Sequence, residues 1–282
     1  MTALRVPLPG SLPETHRRFL ETAVETLARD VRIAGVAAGG SFLTDTMDEW
    51  SDLDLVVAAE PAHHAAVMAG RDEIARSLGP LLAAFTGEHV GEPRLLICLY
   101  DVAPPLHVDL KFVSLPDAAL RVEDPAVLWE RDGRLTRALA HAPAVYPEPD
   151  RQWIEDRFWT WIHYAAGKIG RGELFEALDF LAYLRAHVLG PLASMTSGTR
   201  PSGVRRLESL GPDHTGALRS TIAAYDGLDC LRALKVCVEL YRTLRPAGPA
   251  IARGEAAERA AMQYVSDVER ALKARTGPGK SR

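Results

Sequence analysis

Apolar residues recur along this chain in two rhythms, and the change from one to the other divides it. Over residues 11–30, Phe19, Ala23, Val24 and Leu27 return at three- and four-residue spacing, which predicts an amphipathic helix opened by Ser11 and Pro13 and closed near Asp30. Residues 31–37 then read as a short apolar strand broken by Gly35, and residues 52–58 as a second strand. After Pro61, a helix is expected over 62–78, with Pro80 restarting a short one to residue 85. Two β-like runs follow, 94–101 and 106–115, joined through Ala103-Pro104-Pro105 as a hairpin. Residues 116–141 read as connecting structure around a turn at Trp129-Glu130-Arg131-Asp132-Gly133.

Pro143, Pro147 and Pro149 mark a break, and beyond it the periodicity is helical throughout. Ile154, Phe158, Trp161 and Ala165 form one stripe, and further helices are expected over 173–187, 215–225, 228–244 and 254–274. Trp153, Trp159 and Trp161 are expected in the bundle core, with Cys230 and Cys237, seven apart on one helix, as buried packing. The pattern predicts an α/β (α+β) protein: a mixed-sheet domain over 1–147, a helical bundle over 148–275 and a flexible tail over 276–282.

Composition narrows the function. The 282 residues are 47% hydrophobic and 25% charged, as expected of a globular protein with room for two cores. A net charge of −4 argues against a nucleic-acid partner, which asks for a basic face, and suits a neutral or cationic small molecule. The three cysteines lack CxxC spacing, so neither a disulfide framework nor a zinc site is expected, and reduced thiols point to the cytoplasm. No leader and no run of about 18 apolar residues is visible, so export and a membrane partner are not expected. The oligomeric state is left open.

The candidate chemistry lies between the first two strands. Gly39-Gly40-Ser41 is a small-residue turn whose backbone N–H groups can face an anion, with any helical turn begun at Phe42 adding a favourable dipole. Asp52 and Asp54 follow on alternating positions of a strand and so share a face. Paired carboxylates need water or a cation, and hard oxygen ligands suit Mg²⁺. On the run 106–115, His107, Asp109 and Lys111 alternate with apolar residues, which makes Asp109 the candidate third acid and leaves His107 facing solvent beside it. Asp45, Asp48 and Glu49 form a solvated acidic loop able to attract a cation. A phosphate-holding turn with three acids is what nucleotidyl transfer requires, since two divalent ions can bridge the acids and a triphosphate. Gly279-Lys280-Ser281 imitates the end of a P-loop, but residue 274 is alanine and the run is read as tail.

Gly39-Gly40-Ser41 with Asp52-Leu53-Asp54-Leu55 resembles the signature of the polymerase-β-like nucleotidyltransferase superfamily. More narrowly, Val108-Asp109-Leu110, the Glu130-Arg131-Asp132-Gly133 turn and the Phe158-Trp159 helix running through Tyr164 and Lys168 to Arg171 and Glu173 resemble antibiotic nucleotidyltransferases of the aminoglycoside 6-adenylyltransferase and lincosamide types. The likeness covers residues 30–190. It implies that Ser41 and the Gly39-Gly40 backbone hold the β- and γ-phosphates of a nucleoside triphosphate, and that Asp52 and Asp54 bind Mg²⁺. Asp109 would be a third metal ligand or the general base, and Lys168 would reach the triphosphate across an interdomain cleft. The implied reaction moves AMP from ATP to a hydroxyl of an aminoglycoside or lincosamide and releases pyrophosphate. The alternatives are a nucleotidyltransferase acting on RNA or a protein partner, or a non-catalytic nucleotide-binding module of the same fold; loss of an acid would favour the latter, and all three acids are present.

Overall fold

The structure is a computed structural model that describes residues 4–246 and 250–276. Contacts divide the chain after Tyr146 into two compact units. The first is built on a six-stranded mixed sheet and the second is helical.

The first unit opens with α1 (Glu14–Arg29), which starts just after Pro13 and turns Phe19, Leu20, Ala23, Val24 and Leu27 into the core. The strands are β1 (Ile33–Ala38), β2 (Leu53–Ala59), β3 (Leu81–Gly87), β4 (Glu92–Tyr100), β5 (Leu106–Ser114) and β6 (Ala126–Glu130). Their order across the sheet is β3-β4-β5-β2-β1-β6. Only β2 and β5 run parallel; every other neighbouring pair is antiparallel. A parallel pair needs a long crossover. Between β2 and β5 that connection holds α2 (His64–Ala69), α3 (Arg71–Leu78) and the β3–β4 hairpin. One sheet face packs α1, Val67, Ile74 and Leu78 against Ile33, Val36, Leu53, Leu55, Val57 and Phe112. The other packs α4 (Arg134–Leu139), through Leu135 and Ala138, on Ala34, Ala37, Ala58 and Val113.

Four expectations are corrected. The short helix expected over 80–85 is the edge strand β3, paired with β4; Leu82 and Phe85 are 56% and 55% exposed, so no buried face marked its period. The single helix over 62–78 is two, α2 and α3, meeting at Gly70. Residues 116–141 contain a whole strand, β6, which completes the sheet beside β1. Gly35 does not end β1: the strand continues through it, with only its register against β2 shifting between Ile33 and Gly35, and an added Cβ there would come within 2.9 Å of Leu135 and 3.1 Å of the Trp129 carbonyl. A glycine is therefore required by the close approach of α4.

The second unit consists of α5 (Arg151–Arg171), α6 (Leu174–Leu184), α7 (Gly190–Thr196), α8 (Pro212–Arg219), α9 (Gly227–Leu244) and α10 (Glu255–Thr276). Asp150 caps α5 by accepting from the Trp153 N–H, and Asp226 caps α9 by accepting from the Asp229 N–H. The helix expected over 173–187 leaves α-geometry at Leu184 through one π-helical turn, Arg185–Leu189, before α7. Cys230 and Cys237 are buried on α9. Of the three tryptophans expected in the core, only Trp159 is fully buried; Trp153 is exposed and Trp161 half-buried. Trp159 and Tyr241 both donate to the buried Glu155 carboxylate, at 3.0 and 2.6 Å. The expected tail beyond Thr276, with its Gly279-Lys280-Ser281 run, lies outside the described residues. Among the described residues, no helix is long and apolar enough to cross a membrane.

Gly35→Ala should lower unfolding stability by about 1–3 kcal/mol through overpacking against Leu135. A reduced midpoint in urea with an unchanged slope checks this; a wild-type midpoint would show that α4 yields at no cost.

Candidate active site

Strand register does most of the work of bringing the acids together. In the parallel β2–β5 pair, Asp54 lies opposite Asp109 and Leu53 opposite Val108. Along both strands the leucines and valines on the core side are buried, while Asp54 and Asp109 occupy half-buried positions on the opposite side. Asp52 stands immediately before β2, which begins at Leu53 rather than at residue 52. One carboxylate oxygen from each of Asp52, Asp54 and Asp109 lies within 4.8 Å of the others.

The turn that precedes them folds back onto the same acids. The Gly39 N–H donates to the Asp54 carbonyl at 2.9 Å, which pins the end of β1 to the start of β2. Gly40 begins a short 3-10 turn, Gly40–Thr44, with φ +60. A Cβ at Gly40 would overlap the Asp54 carboxylate. Glycine is needed there twice over, for the left-handed backbone and for the space. Ser41 is the next residue of the turn. The expected cradle and the expected clamp thus share one wall, the Asp54 side chain.

The rest of the loop is tied down by its own acids. Asp45, also left-handed at φ 51, accepts from the Ser11 N–H at 2.9 Å; that bond and the Ser11 side chain hold its carboxyl below the usual range. Asp48 accepts from the Trp50 N–H and the Ser51 hydroxyl, and the buried His16 ring meets the Ser51 carbonyl at 2.7 Å. Asp45, Asp48 and Glu49 are all exposed, so the loop adds negative potential beside the acids while fixing its own shape.

His107 is exposed, as expected, and it also bonds Asp109: its Nε2 lies 2.9 Å from Oδ1. Lys168, on α5 of the second unit, pairs with Glu173 at 2.9 Å and Glu176 at 2.7 Å, and these hydrogen bonds push its pKa up. In the Glu130-Arg131-Asp132-Gly133 turn, Glu130 is buried and accepts from the Thr136 N–H, while Arg131 donates to the carbonyls of Ile33, Ala28 and Asp30. That turn fastens β6, β1 and α4 together.

One residue at the site was not anticipated. Glu123 Oε1 accepts from the Gly40 N–H at 2.8 Å, and it would lie 3.0 Å from a Cβ built on Gly39. Its signal was hidden with β6: once Ala126 is known to pair with Ala38, the residues just before β6 must lie beside the Gly39-Gly40 turn.

Residues 20–91, spanning α1, the turn, Asp52 and Asp54, match the family model of the nucleotidyltransferase domain. The match takes in the glycine turn and the first two acids and ends before Asp109. Among solved structures the chain is similar to an aminoglycoside 6-adenyltransferase from Bacillus subtilis, 15% identical with a TM-score of 0.37, covering 89% of this chain and 97% of that one. It is also similar to a nucleotidyltransferase-like protein from Exiguobacterium sibiricum, 14% identical with a TM-score of 0.35, covering 93% and 88%. No curated protein sequence matches the chain significantly.

The donor set of this corner fits a divalent cation: three carboxylates, all hard oxygen donors, close enough to converge on one ion. Gly40→Ala should keep the fold and lose nucleotide binding, because the added methyl displaces Asp54. Equilibrium dialysis with ATP and Mg²⁺, beside a far-ultraviolet circular dichroism spectrum, checks this; wild-type affinity in the variant would separate the turn from the site.

Proposed function

We propose that the protein is a Mg²⁺-dependent nucleotidyltransferase that moves AMP from ATP onto a hydroxyl of a small cationic molecule, with an aminoglycoside as the leading acceptor and a lincosamide as the second. The observation that carries this reading is the shared wall of the site: Asp54 closes on Gly40 on one side and stands in register with Asp109 on the other. A triphosphate held by the turn therefore has its phosphates beside three carboxylates.

In this reading the Gly40 backbone and Ser41 hold the β- and γ-phosphates, and Asp52, Asp54 and Asp109 would hold the cation. The chemistry such an ion would supply is neutralisation of the negative charge that builds on the departing pyrophosphate. Asp109 accepts the proton of the acceptor hydroxyl, and its bond to His107 fixes the carboxylate's orientation. The acceptor oxygen forms its bond to the α-phosphorus as the α–β anhydride bond breaks, and pyrophosphate leaves. The first unit is the catalytic domain in this account and the helical unit an accessory.

The choice of a polycationic acceptor rests on the exposed Asp45, Asp48 and Glu49 around the turn, which draw cations toward the acids and repel a nucleic-acid backbone. The RNA-directed alternative has no comparable support. The non-catalytic alternative is disfavoured because all three acids converge.

Pyrophosphate release from each of the four nucleoside triphosphates, against a panel of aminoglycosides and lincosamides, tests the proposal. Turnover with ATP and an aminoglycoside is expected, and background release with every acceptor would sink the antibiotic reading. In the active combination, Asp52→Asn and Asp54→Asn should each lower kcat by about a thousandfold, and Asp109→Asn by about a hundredfold. Near-wild-type rates in any folded variant would remove that residue from the site.

A further inference from the structure

The N–H of Gly40 already has an anionic partner. Glu123 Oε1 accepts from it at 2.8 Å, and the same oxygen lies alongside Gly39. This carboxylate comes from the segment between the 3-10 turn Leu115–Ala119 and β6, far from the turn in sequence. The segment is anchored on both sides. Arg121 donates to the carbonyls of Ala119 and Ala142 and to the Asp124 carboxylate, and β6 pairs with β1 three residues after Glu123. Arg121 and Asp124 thus satisfy each other, and Glu123 is directed at the turn.

The placement is electrostatically odd. Asp54 already lies against Gly40, with Asp52 and Asp109 within 4.8 Å of it, and a fourth carboxylate adds repulsion to that corner. A backbone N–H donating to a carboxylate offsets that repulsion through a charge-assisted hydrogen bond. The geometry is that of an oxyanion held by a glycine amide, which is the role the proposed function gives to a phosphate oxygen.

We infer that Glu123 is an internal occupant of the phosphate cradle, holding the Gly39–Ser41 turn in shape in the nucleotide-free protein and yielding the Gly40 N–H to the triphosphate as it binds. The inference rests on the nucleotidyl-transfer reading of the same turn. One N–H cannot serve two anions at full strength, so nucleotide binding must break the Glu123 bond and move its charge away from the incoming phosphates. Glu123 therefore sets nucleotide affinity: it is a positioning residue acting through the turn and takes no part in the bond-making step.

Isothermal titration of the full chain with ATP, in Mg²⁺ and separately in EDTA, tests this in wild type, Glu123→Gln and Glu123→Asp, with urea midpoints as the folding control. Glu123→Gln keeps an acceptor oxygen of the same reach and loses only the charge. It should bind ATP about tenfold more tightly in both conditions and lower the KM for ATP in pyrophosphate release, with its midpoint unchanged. Glu123→Asp shortens the reach while keeping the charge and should give a smaller gain. Unchanged affinity in Glu123→Gln overturns the inference, and so does a weakening confined to Mg²⁺, which would make Glu123 a metal ligand. If wild type and both variants bind no ATP in either condition, the ATP-dependent reading of the turn falls and takes the inference with it. If wild type binds and the variants match it, only the inference falls.

Discussion

Like-charge repulsion is the constraint on which this site depends. Three carboxylates with oxygens within 4.8 Å of one another are kept together by the pairing of β2 with β5, which carry Asp54 and Asp109 and fix the start of β2 beside Asp52. β2 and β5 are held in parallel register by neighbours on both sides, β4 beyond β5 and β1 beyond β2. The crossover through α2, α3 and the β3–β4 hairpin is the structural cost of that parallel pair. A divalent ion held in that corner would relieve the repulsion directly.

The Gly39-Gly40 turn inherits its shape from the same strands. Gly39 bonds the first part of β2, and Gly40 has no room for a side chain because Asp54 fills it. The backbone donors of the turn and the Asp54 carboxylate are therefore set against each other by one strand-turn-strand unit. Glu123 brings a further carboxylate to that unit from the β6 side of the sheet, which couples the turn to a segment anchored by Arg121.

Much of this could be read in the sequence, and the reasons for the remainder are physical. Asp54 and Asp109 stood out because each interrupts a strand whose opposite face is buried, so period-two alternation exposed them. The order of a mixed sheet followed by helices was legible because the proline-rich stretch separates two periodicities. β3 was misread because this edge strand shows no alternating buried face to set its period, with Leu82 and Phe85 left exposed. β6 was missed because five residues between turns carry too little pattern, and its identity is fixed by pairing with β1 rather than by its own composition. Glu123 was lost with it. Lys168 was placed by resemblance, and no periodicity could have shown its pairing with Glu173 and Glu176.

The central claim is that Asp52, Asp54 and Asp109 form one metal-binding corner against the glycine turn. Electron paramagnetic resonance of Mn²⁺, titrated into the full chain with a non-hydrolysable ATP analogue, measures it most directly. The account predicts stoichiometric uptake of Mn²⁺ that is lost in Asp54→Asn while the variant remains folded. Mn²⁺ binding that is absent in wild type, or that survives Asp54→Asn undiminished, would contradict it.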